Sequence, residues 1–256
     1  MILNYKKYGE RGEHLIILHG LFGMLDNWHT LATRLGEKFQ VWAIDQRNHG
    51  KSPHTDDISY PLLAQDLAEF YTQHNIKEAN VIGHSMGGKT AMEFALRHPD
   101  NVSKLIIVDI APKTYTGEGH YLLIQALKGL DLENIKRRND ADEALIQSIP
   151  VESTRQFLLK NLTREGDKYV LKMNLDSLAN HYDKLIGNIE AQGVFNKDTL
   201  FIKGGNSEYI LDKDKPVILK IFTKAEFITI PNSGHWVHAE APVEFYNIVM
   251  EFLNND

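Results

Sequence analysis

The sequence contains no cysteine among its 256 residues, which excludes disulfide bonds and every reaction that needs a thiolate. No apolar run is long enough to span a bilayer, and residues 1–8 lack the cleavage site of a signal peptide. Basic residues are outnumbered, since 28 Lys and Arg face 34 Asp and Glu for a net charge of −6. That sign disfavours nucleic acid and anionic membrane surfaces as partners. We therefore expect a cytoplasmic protein without membrane insertion, whose oligomeric state the sequence leaves open.

Apolar strands alternate with amphipathic helices along most of the chain. Hydrophobic residues make up 43% of the sequence, enough for the core of one domain of this length. The predicted strands cover residues 2–8, 15–18, 41–44, 79–82, 105–108, 200–202 and 227–230, and the predicted helices cover 26–35, 60–74, 88–98 and 241–253. This alternation predicts the α/β class, with a mostly parallel central sheet and helices on both faces.

The alternation of strands and helices stops between Pro112 and about Asn196, where no strong buried strand appears. Charged, helix-like segments replace it at 121–130, 134–149, 153–162 and 176–186, with a short extended piece at 168–173. We interpret this stretch as an insertion over one end of the sheet. The prediction is a single domain, with a core of about 1–111 and 197–256 and a helical cap of about 112–196.

The segment Gly83-His84-Ser85-Met86-Gly87 has the pattern G-x-S-x-G between a predicted strand and a predicted helix. In that setting the pattern is typical of a nucleophile elbow, a strained turn that lifts the serine hydroxyl to a helix N-terminus. Glycine at 83 and 87 is needed because side chains there would collide. The alternative is an ordinary glycine-rich turn, which this context disfavours.

A serine hydroxyl needs a base within hydrogen-bond reach, and His235 is the strongest candidate among twelve histidines. It lies in the loop between the last strand and the last helix. Loops at the carboxyl ends of parallel strands share one rim, so His235 and Ser85 can meet there. We interpret His19, His84 and His238 as structural.

Two acidic residues compete to orient this histidine, because both follow predicted strands. Asp109 comes directly after the strand 105–108, and Glu208 lies in the loop after 200–202. Asp109 is favoured because a long buried strand fixes its position at the rim. Glu208 stays open as the alternative, although Lys213 and Lys215 are available to pair with it.

Backbone N–H groups must stabilise the negative oxygen of an acyl-transfer intermediate. The N–H of Met86 at the start of the elbow helix is one candidate. The N–H of Leu21 is the second, because Gly20 lets the chain bend after the strand 15–18. The alternative for that segment is a glycine turn without this role.

The motifs HGLFG, GHSMG, VDIAP and GHWVH, in this order, resemble those of the α/β-hydrolase fold superfamily. The resemblance covers nearly the whole chain outside residues 112–196. It also includes Asp45 to Ser52, similar to the family's D-x-R-x-x-G-x-S loop, which is mainly structural. One departure is informative: Ser207 stands where most members carry the triad acid. The chain resembles instead small bacterial serine esterases whose acid follows the preceding strand, which matches Asp109.

The resemblance implies a triad of Ser85, Asp109 and His235, with Leu21 and Met86 as oxyanion donors. The implied function is hydrolysis of a carboxylic ester, with thioesters such as acyl-CoA as a further class, and without cofactor or metal. Serine at the elbow disfavours dehalogenases and epoxide hydrolases, which carry aspartate. Other serine-triad reactions (C–C hydrolysis, acyl transfer, cofactor-free elimination) and a non-catalytic ligand receptor remain alternatives.

The substrate is the least determined feature. Apolar residues of the insertion could line an acyl or alcohol pocket or simply pack its helices together, and packing is favoured for each of Leu122, Leu123, Leu127, Phe157, Leu158, Leu175, Leu178 and Leu185. Lys136, Arg137 and Arg138 could hold a phosphate or the nucleotide of acyl-CoA, although a solvated helix face is the favoured interpretation.

Overall fold

Seven strands form the central sheet in the computed structural model, which describes residues 1–117 and 119–255. The described residues form nine strands, seven in this sheet and two in a separate hairpin: β1 (Tyr5–Tyr8), β2 (His14–Leu18), β3 (Gln40–Ile44), β4 (Ala79–His84), β5 (Val102–Val108), β6 (Leu162–Glu165), β7 (Lys168–Leu171), β8 (Thr199–Gly204) and β9 (Ala225–Ile230). The sheet order is β1-β3-β2-β4-β5-β8-β9, and β6 and β7 form a separate hairpin. Only β1, at the edge, pairs antiparallel within the seven-stranded sheet.

Helices cover both faces of the sheet and the segment between β5 and β8. Their bounds are α1 (His29–Leu35), α2 (Tyr60–Gln73), α3 (Met86–Arg97), α4 (Gly119–Lys128), α5 (Arg138–Leu145), α6 (Glu152–Leu159), α7 (Leu175–Asn180), α8 (Tyr182–Ile186), α9 (Lys215–Ile221), α10 (Val237–Glu240) and α11 (Pro242–Asn254). The α/β class with a mostly parallel sheet is therefore confirmed.

Neighbouring residues of each strand enter cores on opposite faces of the sheet, because successive side chains of a strand point to opposite sides. Ile16 and Leu18 of β2 pack into the core shared with α2, α3 and α9. Leu15 and Ile17 pack into the other core, shared with α1 and α11. Two-sided burial explains why central strands such as β2 are nearly continuously apolar in sequence.

A third core joins the segment between β5 and β8 to the rim of the sheet. Phe22, Tyr60 and Met86 contribute to it from the part of the chain before β5. Leu158 and Leu178 contribute to it from α6 and α7. Helices α6 and α7 therefore share a core with Met86, the first residue of α3.

The loop after β3 is fixed by a buried carboxylate. Asp45 accepts hydrogen bonds from the backbone N–H of Leu25 at 2.7 Å and of Lys51 at 2.9 Å. Arg47 pairs with the buried Asp66 of α2, with 2.5 Å between Nε and Oδ2. These bonds tie the loop to α2 and agree with a structural role for the D-x-R-x-x-G-x-S segment.

The largest differences from the sequence-based expectations lie in the insertion. The helix expected over 134–149 covers only Arg138–Leu145, because Arg137 is extended at its N-terminus. The helix expected over 176–186 is two helices, α7 and α8, that break at His181. The extended piece expected at 168–173 pairs with a strand that the sequence analysis did not predict, β6. Helix α9 was also not predicted, although Pro216 in its first turn is a typical helix-start signal.

Among residues 1–117 and 119–255, no helix has both the length and the apolar character needed to cross a membrane.

Candidate active site

Ser85 occupies a strained turn between β4 and α3. Its backbone has φ +51° and ψ −117°, a region that non-glycine residues seldom adopt. A Cβ at Gly83 would lie 2.3 Å from the Gly87 carbonyl oxygen, and one at Gly87 would lie 2.4 Å from the Leu18 carbonyl oxygen. The turn therefore requires glycine at both positions, as the sequence predicts.

The His235 ring lies between Ser85 and Asp109. Its Nε2 is 2.9 Å from Ser85 Oγ, and its Nδ1 is 2.8 Å from Asp109 Oδ2. The three residues follow β4, β5 and β9, whose carboxyl ends meet at one edge of the parallel sheet. The structure thus brings together the three side chains that the sequence selects from separate loops.

The Asp109 carboxylate has no exposed surface and accepts three hydrogen bonds. The Gly204 N–H lies 3.1 Å from Oδ1, while the Ser207 hydroxyl and the His235 ring both donate to Oδ2. Hydrogen bonds from several donors compensate the cost of burying the charge. Glu208, the alternative acid, is exposed and lines a cavity that Ser85 also lines.

Two contacts of this site were missed by the sequence analysis. Ser207 was noted only as the residue that replaces the usual acid, yet it donates to Asp109. The Tyr209 ring stacks on His235, with centroids 3.9 Å apart and planes 20° from parallel. His84 adds a third restraint, because its Nε2–H donates to the His235 carbonyl oxygen at 2.8 Å. The Tyr209 ring limits rotation of the His235 ring, while the other two bonds fix the carboxylate beside that ring and the backbone that carries it.

The two expected oxyanion donors lie beside Ser85. Met86 is the first residue of α3, so its N–H has no acceptor within the helix. Leu21 follows Gly20, where a Cβ would lie 3.2 Å from the Ser85 Cβ. Leu21 and Met86 both line the cavity that contains Ser85 and His235. Both residues therefore lie where the sequence predicts the oxyanion donors, beside Ser85 at the cavity.

A cavity of about 970 Å³ opens at Ser85 and His235. Its walls come from the loop after β5, from the inserted helices and from the loop after β8, with Tyr115, Leu185 and Tyr209 as examples. A cavity of this size is typical of a small-molecule site. Among the described parts of the chain, no group of three or more His, Asp or Glu side chains could hold a metal ion.

Comparison of the sequence with known protein families identifies the family of this chain. The family model described as the α/β hydrolase fold matches residues 13–242. The chain belongs to the α/β hydrolase fold family.

Relatives of this hydrolase carry esterase and lipase names. The esterase YbfF of Escherichia coli is 33% identical, with the alignment covering 100% of both chains. The sn-1-specific diacylglycerol lipase ABHD11 of Mus musculus is 38% identical over 93% of this chain and 80% of its own length. A solved structure, an esterase from a marine microorganism, is 46% identical with a TM-score of 0.96, covering 98% of each chain.

Lys89 of α3 is a buried cation one helical turn beyond Ser85. Its ammonium donates to the carbonyl oxygens of Lys113 at 2.9 Å, of Ile186 at 3.2 Å and of Gly187. Burial lowers the pKa of Lys89 from 10.5 to about 7. Residues 113 and 186–187 lie near the two ends of the helical insertion. Lys89 therefore holds both ends of the insertion against the helix that carries the serine.

Some apolar residues of the segment 112–196 pack in the third core, and others line a cavity. Leu127, Leu158, Leu178 and Leu185 are buried in the third core, as the packing interpretation predicts. Leu123, Phe157 and Leu158 also line a second, smaller cavity beside Ser85, and Leu185 lines the large one. Leu122 is 59% exposed and serves neither purpose.

Two of the three basic side chains at 136–138 are engaged within the protein. Arg137 pairs with Asp140 at 3.0 Å, and Arg138 donates to the carbonyl oxygens of Leu159 at 2.7 Å and Leu162 at 3.0 Å. These contacts favour the structural interpretation over a phosphate site.

His19, His49 and His238 are buried, and burial favours the neutral form of each. Burial lowers the pKa of His19 to about 4 and that of His49 and His238 to about 3. His19 shows its tautomer, because Nδ1 donates to the Gly20 carbonyl and Nε2 accepts from the Gln46 N–H. His238 stacks on Trp28 with centroids 4.2 Å apart. Their contacts agree with the structural roles expected for His19 and His238.

We predict that the hydrolase loses stability steeply as the pH falls from 6.5 towards 4. In this window the unfolded chain binds protons at these histidines and the folded protein does not, so the free energy of unfolding falls with pH. His19, His49 and His238 alone give a maximal slope of about 4 kcal/mol per pH unit, at about 1.4 for each. His84 and His120, whose pKa values burial also lowers, make the slope steeper. Urea unfolding at a series of pH values measures it.

The matched control for this prediction is His238→Phe, which keeps a ring against Trp28. It should make the slope shallower by about one proton equivalent, or about 1.4 kcal/mol per pH unit. A free energy of unfolding that stays constant between pH 6.5 and 4.5 would contradict burial of neutral histidines.

Proposed function

We propose that the protein is a serine esterase that hydrolyses carboxylic esters through an acyl-enzyme on Ser85. The observation that carries the proposal is the unbroken chain of hydrogen bonds from Asp109 through His235 to Ser85 at the floor of a large cavity. Esterase and lipase names among relatives that align over nearly the whole chain support the same reaction.

Asp109 fixes the tautomer of His235 in this proposal. Its carboxylate accepts from Nδ1–H, which leaves the lone pair on Nε2 pointing at the Ser85 hydroxyl. His235 therefore takes the Ser85 proton as Oγ attacks the ester carbonyl carbon. The imidazolium that forms is stabilised by the buried carboxylate beside it.

The tetrahedral intermediate places its negative oxygen towards the N–H groups of Leu21 and Met86. Both are fixed before the substrate arrives, so no reorganisation is required at the moment of reaction. His235 then gives its proton to the leaving alcohol as the carbon–oxygen bond breaks. A water molecule repeats the sequence on the acyl-enzyme and releases the acid. A thioester would follow the same steps with a thiol as the leaving group.

The segment 112–196 acts as a cap in this proposal. It supplies the outer wall of the large cavity through residues such as His120, Tyr182 and Leu185. The substrate is a small-molecule ester or thioester, and no residue is assigned to a cofactor. The cytoplasmic location expected from the sequence belongs to the proposal as well.

The proposal predicts that Ser85→Ala lowers kcat for ester hydrolysis by about ten thousand- to a millionfold, because the acyl-enzyme cannot form. The measurement is initial rates of wild type and variant on a panel of esters and acyl-CoA thioesters, with product analysis. Wild-type turnover in the folded variant would overturn the proposal. Products of C–C cleavage, acyl transfer or elimination, or binding without turnover, would point to the other functions that the motif set allows.

A second prediction concerns the acid. Asp109→Asn should lower kcat by about a thousand- to ten-thousandfold, because an amide favours the wrong His235 tautomer and cannot stabilise the imidazolium. Glu208→Gln is the matched control and should cost less than about tenfold. Circular dichroism confirms folding of both variants. A severe loss in Glu208→Gln with a mild loss in Asp109→Asn would reverse the assignment.

A further inference from the structure

Two cavities of very different size meet at Ser85. Both are lined by Leu21, Ser85, His120 and His235, so they share the position where the ester carbonyl must lie. The larger has about 970 Å³ and the smaller about 30 Å³. We call the smaller cavity the notch. Its remaining walls are Phe22, His84, Leu123, Thr154, Phe157, Leu158 and Trp236.

The volume of the notch limits what can enter it. A cavity needs roughly 10–15 Å³ to hold one water molecule, which has one non-hydrogen atom. By that measure the notch admits about two or three non-hydrogen atoms. The large cavity lies near the upper end of the range of about 300–1,000 Å³ found for sites of drug-sized ligands. The two directions away from Ser85 therefore differ greatly in the size of group they admit.

Packing fixes the walls of the notch. Phe22 and Leu158 are buried in the third core, and the Phe22 carbonyl accepts from the buried Asn161 Nδ2 at 2.8 Å. Phe157 of α6 meets Trp236 with ring centroids 5.3 Å apart, which joins the inserted helices to the histidine loop. Packed walls of this kind do not expand without cost, because overpacking forces side chains out of their rotamers.

An ester bound for attack carries two groups that must diverge. The carbonyl carbon lies over Ser85 Oγ, and the carbonyl oxygen is directed to the N–H groups of Leu21 and Met86. The acyl chain and the alcohol then occupy the remaining two directions. With one direction leading into the large cavity, the other group enters the notch.

We propose that this site selects unsymmetrical esters, in which one of the two groups has no more than about two or three non-hydrogen atoms, and that Phe157 sets this limit. The inference rests on the esterase function proposed above and adds the shape of its substrate. Phe157 suits the role because its ring is half-buried and closes the notch against Trp236, whereas Phe22 and Leu158 are fully packed.

Three esters test the shape directly: phenethyl acetate, ethyl 3-phenylpropanoate and phenethyl 3-phenylpropanoate. The first two have one large group each and the third has two. The doubly large ester should have a kcat/KM lower than that of the better one-sided ester by about 10–100-fold, the range expected for forcing extra atoms into a packed wall. The identity of the better one-sided ester then tells whether the acyl or the alcohol group enters the notch.

The variant Phe157→Ala should raise kcat/KM for the doubly large ester by about tenfold or more, because it removes the wall that excludes the second large group. Ile186→Ala is the matched control: Ile186 is also half-buried but lines only the large cavity, so its truncation should bring no such gain. Phe157→Leu keeps an apolar side chain at the position and should give a smaller gain, which tests the limit even if the alanine variant folds poorly.

The outcomes separate this inference from the function on which it rests. If wild type hydrolyses none of the three esters nor any other ester, the esterase proposal fails and the inference fails with it. If wild type hydrolyses all three with similar kcat/KM, the esterase proposal stands and the unsymmetrical shape is overturned. If the doubly large ester is poor but neither Phe157 variant improves it, Phe157 does not set the limit.

Discussion

A carboxylate without solvent contact needs its charge compensated by the protein, and the arrangement around Asp109 meets that need. The Gly204 N–H, the Ser207 hydroxyl and the His235 ring all donate to it. Gly204 ends β8, Ser207 lies in the loop that follows it, and His235 lies in the loop after β9. Compensating one buried charge therefore fixes two loops at the rim, and with them the distance from His235 to Ser85.

Residues with a strained, positive φ also lie at this rim of the sheet. Phe22, Ser85 and Asp109 have φ values of +62°, +51° and +50°. Ser85 and Asp109 directly follow β4 and β5, and Phe22 lies in the loop after β2. Conformations of this kind cost of the order of 1–3 kcal/mol each and persist only where the surrounding packing holds them. The cores on both faces of the sheet supply that packing. The sheet therefore offsets the cost of presenting the serine, its acid and the oxyanion strip in fixed positions.

The candidate site could be predicted from the sequence where local backbone geometry decides residue type. The elbow is such a case, because a Cβ at Gly83 would meet the Gly87 carbonyl, and the strand preceding Asp109 is long enough to fix its end. Contacts made across the fold could not be predicted in this way. The stacking of Tyr209 on His235 depends on how two loops approach. The notch depends on where α6 lies, and no periodicity in its sequence specifies that placement.

The most direct test of the account is covalent labelling by a fluorophosphonate, followed by intact mass and peptide mapping. The hydrogen bonds from Asp109 through His235 should activate Ser85 and no other serine. We therefore expect one adduct per chain, located on the peptide that contains Ser85. Labelling of a different residue, or no labelling of the folded protein, would contradict it.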